Sequence, residues 1–310
     1  MLMKFKLLKE SVEIQEKLIT EAKLCKDMLT EDKSVKFNGQ VYPKFGWCVI
    51  LCGGSGSGKS TAYKYLVPID AKKYDVDALK TSLLGAKDKE YDKYKIVRSE
   101  LNGDKIVLRN GQEISLDSIS EPYNLSNPEF TELIHKSTRP LSKKVKQSFL
   151  DIGKNASKDR LPNIVFDITG KDVNDIEEIV YAVKPLGYKV ALVWVMGDIE
   201  QAISQNETRF RQVPKDLLIQ IHWDVIKSLT EVATTRELFD NIDDFYVILQ
   251  TVFNLKDPEE RDHYINMPNV YKIESRKDVA DFPDIIKDMV EKNRKTIISK
   301  YSEFIVDKSK

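Results

Sequence analysis

No apolar run in the chain approaches the roughly 18 residues that a membrane-spanning helix requires, so no spanning segment is expected. Cysteine is scarce: Cys25, Cys48 and Cys52 are the only three, and none has C-x-x-C spacing. That excludes a disulfide framework and a cysteine-based metal site. Cys48 and Cys52 fall in an apolar stretch and read as small core residues of a reducing compartment. An excess of charge of either sign is also missing. Lys plus Arg and Asp plus Glu number 49 each, so net charge gives no reason to expect a bulk polyanion as partner. The first ten residues carry Lys4, Lys6 and Lys9 among apolar neighbours but lack the continuous apolar core and cleavage site of a secretory signal. Internal repeats and low-complexity tracts are absent. A cytoplasmic chain without membrane attachment is the expectation, and its 310 residues suffice for one large domain with additions or for two domains.

Against that background one stretch stands out. Trp47 to Leu66 reads WCVILCGGSGSGKSTAYKYL: an apolar strand, then Gly53-Gly54-Ser55-Gly56-Ser57-Gly58-Lys59-Ser60 with Thr61 next, then a segment able to wind as a helix. This is a Walker A phosphate-binding loop. Successive backbone N–H groups can wrap a polyphosphate only where the chain turns tightly and approaches closely, which glycine permits. Lys59 can reach the β and γ phosphates, the Ser60 hydroxyl can ligate Mg²⁺, and the helix points its positive end at the anion. The alternative, a glycine-serine connector that binds nothing, does not account for the full motif between strand and helix.

The rest of the chain supplies an α/β frame. Residues 7 to about 30 place Leu8, Val12, Leu18, Ile19, Ala22, Cys25 and Leu29 near one helical face, an amphipathic N-terminal extension that packs on the core or docks a partner. Asn38-Gly39 and Pro43 mark a loop before the Walker strand. Pro68 ends the first helix. Residues 81 to about 160 differ in character: Lys105 to Leu108 and Glu113 to Leu116 flank Asn110-Gly111 as a hairpin, Pro122, Pro128 and Pro140 punctuate the chain beyond it, and a helix spans about Ser142 to Ala156. This insertion is a substrate-facing wall or a surface hairpin. From Asn163, strand NIVFD, a helix with Val173, Ile176, Val180 and Val183 at helical spacing, Gly187 and strand YKVALVWVM form a βαβ unit of a parallel sheet buried on both faces. Asp198 caps a helix to about Thr208, with Gln201 placed as the second member of a capping box. FYVIL is a further strand, and a last helix starts near Asp284. The expected organisation is a helical extension (1–42), a P-loop domain with a mainly parallel sheet sandwiched by helices (43–276, insertion about 81–160) and a C-terminal helix packing on the core (277–310).

In an open α/β sheet a ligand sits outside the carboxyl ends of the strands. The Walker loop, Asp75 or Asp77, Asp167, and the segment after the helix ending near Thr208 are expected to meet there. Phosphoryl transfer needs a carboxylate to orient the acceptor, a metal between phosphates, and cations on the equatorial oxygens. Asp77 is the candidate base, and it also fits a helix N-cap with Ala78-Leu79-Lys80 as first turn. Asp167 ends strand NIVFD, where a carboxylate holds Mg²⁺ or orients Lys59. Ile168 comes directly after it, not the second acid with which motion-coupled ATPases activate water. Arg209 and Arg211, stopped by Val213-Pro214, can close over the γ-phosphate as a lid or simply complement a helix end. Lys143, Lys144 and Lys146 read as a solvated face more than as a contact to a phosphorylated acceptor.

In this order, GGSGSGKST, VDALK, NIVFDITG, LGYKVALVWV and QNETRFRQVP resemble the zeta-toxin and polynucleotide-kinase group of P-loop kinases over most of residues 47 to 225. The resemblance implies that Asp77 is the acceptor base with Lys80 as its basic neighbour. It maps the group's lid onto Asn206, Arg209, Val213 and Pro214. Gln205 stands where the group carries the lid's first arginine, which leaves Arg211 as the candidate for that contact, and Lys80 cannot make the bidentate contact of an arginine. The implied activity is transfer of the γ-phosphate of ATP, with Mg²⁺, to a hydroxyl acceptor such as a nucleic-acid 5′-hydroxyl or a nucleotide sugar. The competing readings are an ATPase that drives a partner's conformational change and a nucleotide-binding module without turnover.

Overall fold

The computed structural model describes residues 34–37, 40–43, 46–67, 69, 71–78, 105–107, 113–115, 127–156, 161–209, 212–250, 257–261, 270–273 and 282–306. The helix expected over residues 7–30, with Cys25, and the residues Lys80 and Arg211 lie outside this set.

A six-stranded sheet organises these residues. Its strands are β3 (Trp47–Cys52), β4 (Lys72–Asp75), β7 (Ile164–Asp167), β8 (Lys189–Met196), β9 (Asp244–Leu249) and β10 (Val270–Ile273), in the spatial order β10-β9-β8-β3-β7-β4. All neighbours pair in parallel except β10, which closes one edge antiparallel to β9. The strand that feeds the glycine loop is therefore central, and the sheet has the α/β architecture of a P-loop fold.

The apolar runs alternate between two buried faces. Cys48, Ile50 and Cys52 point to one side with Phe166, Leu192 and Trp194, and Trp47, Val49 and Leu51 point to the other with Val165, Val193 and Val195. Helix α1 (Lys59–Leu66) covers the second face through Ala62 and Leu66. The first face lies under α3 (Val173–Val183), α4 (Ile199–Thr208), α5 (Lys215–Thr234) and α7 (Asp284–Tyr301); a short helix α6 (Arg236–Asp240) lies between α5 and β9. Coverage on both sides explains why β3 and β8 are apolar almost throughout. Asp172 caps α3 by accepting from the Asn174 N–H, and Ile176, Ile179, Val180 and Val183 form its buried stripe.

Three sequence expectations change. Residues 34–37 and 40–43 are not loop or part of a helical extension: β1 (Ser34–Phe37) pairs antiparallel with β2 (Gln40–Pro43), Phe37 opposite Gln40. The Asn-Gly dipeptide between them is the strongest short hairpin signal. Second, the helix expected from Ser142 begins at Pro128. That helix, α2 (Pro128–Asp151), passes through Pro140 despite the donor missing there. Pro128 occupies its first position, where a missing N–H is harmless. Third, the end of α2 belongs to the core: Val145, Phe149 and Leu150 are buried, and the Phe149 ring meets Tyr74 and Phe166 edge-on at 5.8 and 6.1 Å. The hairpin of the same region is present as β5 (Lys105–Val107) against β6 (Glu113–Ser115). Among the described residues no helix is long and apolar enough to cross a membrane.

The C-terminal helix grips the turn after β8. The Asn293 side chain, 2% exposed, donates from Nδ2 to the Gly197 carbonyl (3.0 Å) and accepts at Oδ1 from the Ile199 N–H (3.0 Å). Asp198 between them caps α4, its Oδ1 accepting from the N–H groups of Glu200 and Gln201, and pairs with Lys292 at 2.6 Å. Asn293→Leu leaves two buried backbone groups without partners and should cost about 2–4 kcal/mol in urea unfolding; an unchanged midpoint would contradict this clamp.

Candidate functional site

The loop begins where β3 ends, and the sheet register puts carboxylates beside it. Leu51 pairs with Asp167, and Asp167 pairs with Asp75, so the three lie in one row across β3, β7 and β4. The pairing continues past the strand ends, with the Ile168 N–H donating to the Leu51 carbonyl (3.0 Å) and the Gly53 N–H to the Thr169 carbonyl (3.1 Å). The entrance of the loop is thus locked to the β7–α3 connection.

Within the loop the Ser57 N–H donates to the Gly54 carbonyl (3.1 Å), closing a turn. Among the described residues none accepts from the N–H groups of Gly54, Ser55, Gly56 or Gly58. Such a row of open donors is what a polyphosphate requires. Gly56 has φ 81°, and a Cβ there would lie 2.7 Å from the Ala202 carbonyl oxygen of α4, so the loop and α4 meet at a point that only glycine allows. Gly58 caps α1 in the left-handed region, and no acid stands in the first turn to offset the positive helix end. Lys59 folds back, its Nζ donating to the Gly53 carbonyl at 2.6 Å. Ser60 is exposed in the first turn, and Thr61 is half-buried.

The acids divide differently from the sequence expectation. The N-cap is Asp75, not Asp77: Asp75 Oδ1 accepts from the N–H groups of Asp77 (2.9 Å) and Ala78 (3.1 Å). Asp77 is exposed in the turn that Asp75 caps. Asp75 Oδ2 and Asp167 Oδ2 share a cation that sequence reasoning missed, Lys73, at 3.0 and 2.7 Å. Burial pushes the Asp167 carboxyl up, and Lys59 and Lys73 pull it part of the way back. For Lys73, burial opposes the charge, but Asp167 and Asp75 outweigh it and hold the ammonium above the ordinary lysine range. The signal for Lys73 was its spacing: strand residues two apart share a face, so Lys73 and Asp75 point the same way.

Arg209 is exposed at the C-terminal end of α4, its N–H donating to the Asn206 carbonyl (3.3 Å). Asn206, which the resemblance places in the lid, has a bracing part: it is buried, donates from Nδ2 to the Val213 carbonyl (2.8 Å) and accepts from the Val213 N–H (2.9 Å). This clasp fastens both ends of the arginine segment, and Gln212 Nε2 adds a bond to the Glu207 carbonyl (3.0 Å). Lys146 pairs with Glu178 (2.6 Å) and Asp175 (3.5 Å), whereas Lys143 and Lys144 are exposed.

Two groups beneath the loop were also missed. Gln250, at the end of β9, lies where a Cβ on Gly58 would fall and approaches the Gly58 carbonyl at 3.5 Å. His222 of α5 is buried with Nε2 2.8 Å from the Ser55 carbonyl, and its ring fills the space that a Gly54 side chain would need. Nothing in the spacing of a lone histidine in IQIHWDVI links it to a glycine loop so far upstream. Burial lowers the imidazole to about 4 from 6.5; the Ser55 carbonyl opposes this and the Lys59 charge adds to it.

No protein-family model matches the chain, and no curated protein matches it. It is similar to a solved structure from the PezAT chromosomal toxin–antitoxin system of Streptococcus pneumoniae, at 13% identity over 96% of each chain with a TM-score of 0.46. It is also similar to a crystal structure of AvrRxo1-ORF1:-ORF2 with ATP, at 13% identity over 78% of this chain and 63% of that one, with a TM-score of 0.47. Likeness at this level is too low to carry a function from those proteins to this one.

The neutral His222 makes stability depend on pH in a definite direction. The unfolded ring protonates near pH 6.5, the folded ring only near 4, so acid favours the unfolded chain between those values. Stability should fall by up to about 3 kcal/mol across that window. Urea unfolding between pH 7 and 4.5 should lose more in the wild type than in His222→Gln; parallel profiles would show that the fold does not lower the His222 pKa.

Proposed function

We propose that the protein is a P-loop kinase that transfers the γ-phosphate of ATP to a hydroxyl acceptor in the reducing cytoplasm. The observation that carries the reading is the row of loop N–H donors set beside Asp167 and Asp75 at the carboxyl edge of the parallel sheet. The resemblance to the zeta-toxin and polynucleotide-kinase group supports the same chemistry. The hard oxygens of Ser60 and Asp167 suit Mg²⁺, and Lys73 favours the ionised form of Asp167 that a metal needs. When bound, the metal would offset charge between the β and γ phosphates.

Residues Gly53 to Thr61 hold the triphosphate, with N–H groups on its oxygens. Lys59 exchanges the Gly53 carbonyl for phosphate. The acceptor oxygen attacks the γ-phosphorus as the bond to the bridging oxygen breaks, ADP leaves, and the acceptor's proton passes to the Asp77 carboxylate. Assigning the base to Asp77 is supported by the cap's belonging to Asp75, whose Oδ1 is engaged with backbone and whose Oδ2 is engaged with Lys73. Arg209 and Arg211, on a segment clasped by Asn206, offset charge on the transferring group. The acceptor is a nucleic-acid 5′-hydroxyl, a nucleotide sugar or a related small molecule. Ile168 after Asp167 disfavours an ATPase, which would place an acid there to activate water.

Incubation with γ-labelled ATP and a panel of RNA and DNA 5′-hydroxyl ends, nucleotide sugars and nucleosides should label one acceptor class. Asp77→Asn should reduce transfer at least about 100-fold while leaving ATP affinity nearly unchanged. Steady phosphate release into water with no labelled acceptor would point to an ATPase, and binding without chemistry to a nucleotide-binding module.

A further inference from the structure

Phosphate binding by the loop depends on the direction of its open N–H groups, and His222 lies against the Gly54 and Ser55 backbone. The buried ring comes from the middle of α5, where Leu218, Ile219, Ile221, Val225 and Ile226 are buried as well. Its Nε2 is 2.8 Å from the Ser55 carbonyl oxygen. A carbonyl can only accept, so Nε2 carries the proton, and a neutral ring then leaves Nδ1 without one.

Peptide geometry gives this contact its consequence. The Ser55 carbonyl and the Gly56 N–H belong to one planar trans unit and point in opposite directions. Holding the carbonyl down against α5 turns the Gly56 N–H up and away from it. Both flanking residues are glycines, Gly54 and Gly56, so the chain itself does little to fix that plane. Gly54 also lies directly over the ring: any Cβ there would overlap the imidazole, which keeps the ring and the backbone in contact.

We propose that His222 is a positioning residue of the phosphate loop, whose Nε2–H holds the Ser55 carbonyl and thereby aims the Gly56 N–H at the bound polyphosphate. This rests on the phosphate-binding reading of the loop and adds the brace that orients one of its donors in advance of ligand. The brace contributes direction and no charge, so the cations facing the phosphates remain those of Lys59 and the lid.

The test compares wild type, His222→Leu, which removes the donor, and His222→Gln, which restores an N–H at similar reach. Calorimetric titration with ATP and with sodium tripolyphosphate, which lacks a base and a sugar, reads the loop directly. His222→Leu should weaken both ligands about tenfold, the loss of one orienting hydrogen bond, and His222→Gln should recover most of it. Wild type that binds neither ligand would overturn the phosphate-loop reading and the inference together. Wild type that binds, with His222→Leu equally tight, would overturn the inference alone, as would equal weakening by both variants at matched melting temperatures. If His222→Leu does not fold, imidazole ¹⁵N chemical shifts of the wild type decide: Nε2–H at pH 7 is expected, and an Nδ1–H tautomer or an imidazolium overturns the proposal.

Discussion

A loop that binds polyphosphate through its backbone must keep its N–H groups unsatisfied and correctly aimed while no ligand is there. This is costly locally, because peptide groups normally find partners and glycines normally flex. The structure answers with bonds that reach the loop's carbonyls, its first N–H and the Ser57 N–H, while among the described residues the N–H groups of Gly54, Ser55, Gly56 and Gly58 have no acceptor. The Thr169 carbonyl holds the Gly53 N–H at the entrance, Lys59 holds the Gly53 carbonyl, His222 holds the Ser55 carbonyl, and Ala202 of α4 abuts Gly56. Each brace comes from a different element, and those elements are themselves held: α4 by Asn293 and Lys292 of α7, α5 within the larger core. The C-terminal helix, far from the loop in sequence, is part of its support.

The charges at the sheet edge obey a related logic. Two carboxylates in adjacent strands repel, and burial drives Asp167 toward protonation. Lys73 between them offsets both, and its own burial is tolerated because each acid stabilises the ammonium. With Lys59, which also acts on Asp167, two cations face the two carboxylates. Asp75 then combines two tasks, pairing with Lys73 through one oxygen and capping a helix through the other.

Much of this frame was legible in the sequence because it rests on short-range pattern. The Walker motif, the βαβ unit from Asn163 to Met196 and the Asp198 cap are each written in contiguous residues, and all take the expected form. What stayed illegible depends on groups meeting from distant parts of the chain. His222 and Gln250 reach the loop only through the packing of α5 and β9 on the same sheet. The Asn206 clasp joins residues seven apart in a pattern that reads equally well as a ligand contact. Pro140 misleads because a helix with a buried stripe such as Val145, Phe149 and Leu150 can absorb one lost hydrogen bond. The cap moved from Asp77 to Asp75 because β4 already ends at Asp75, which places the helix start earlier than the sequence suggested.

The central claim is that the loop is built in advance for phosphate and keeps its braces when occupied. A crystal structure with magnesium and a non-hydrolysable ATP analogue tests it most directly. The account predicts phosphates on the N–H groups of Gly54, Ser55, Gly56 and Gly58, Lys59 released from the Gly53 carbonyl toward them, and the His222–Ser55 hydrogen bond retained. A nucleotide bound elsewhere, or a loop that must break its hold on His222 and Thr169 to accept phosphate, would contradict it.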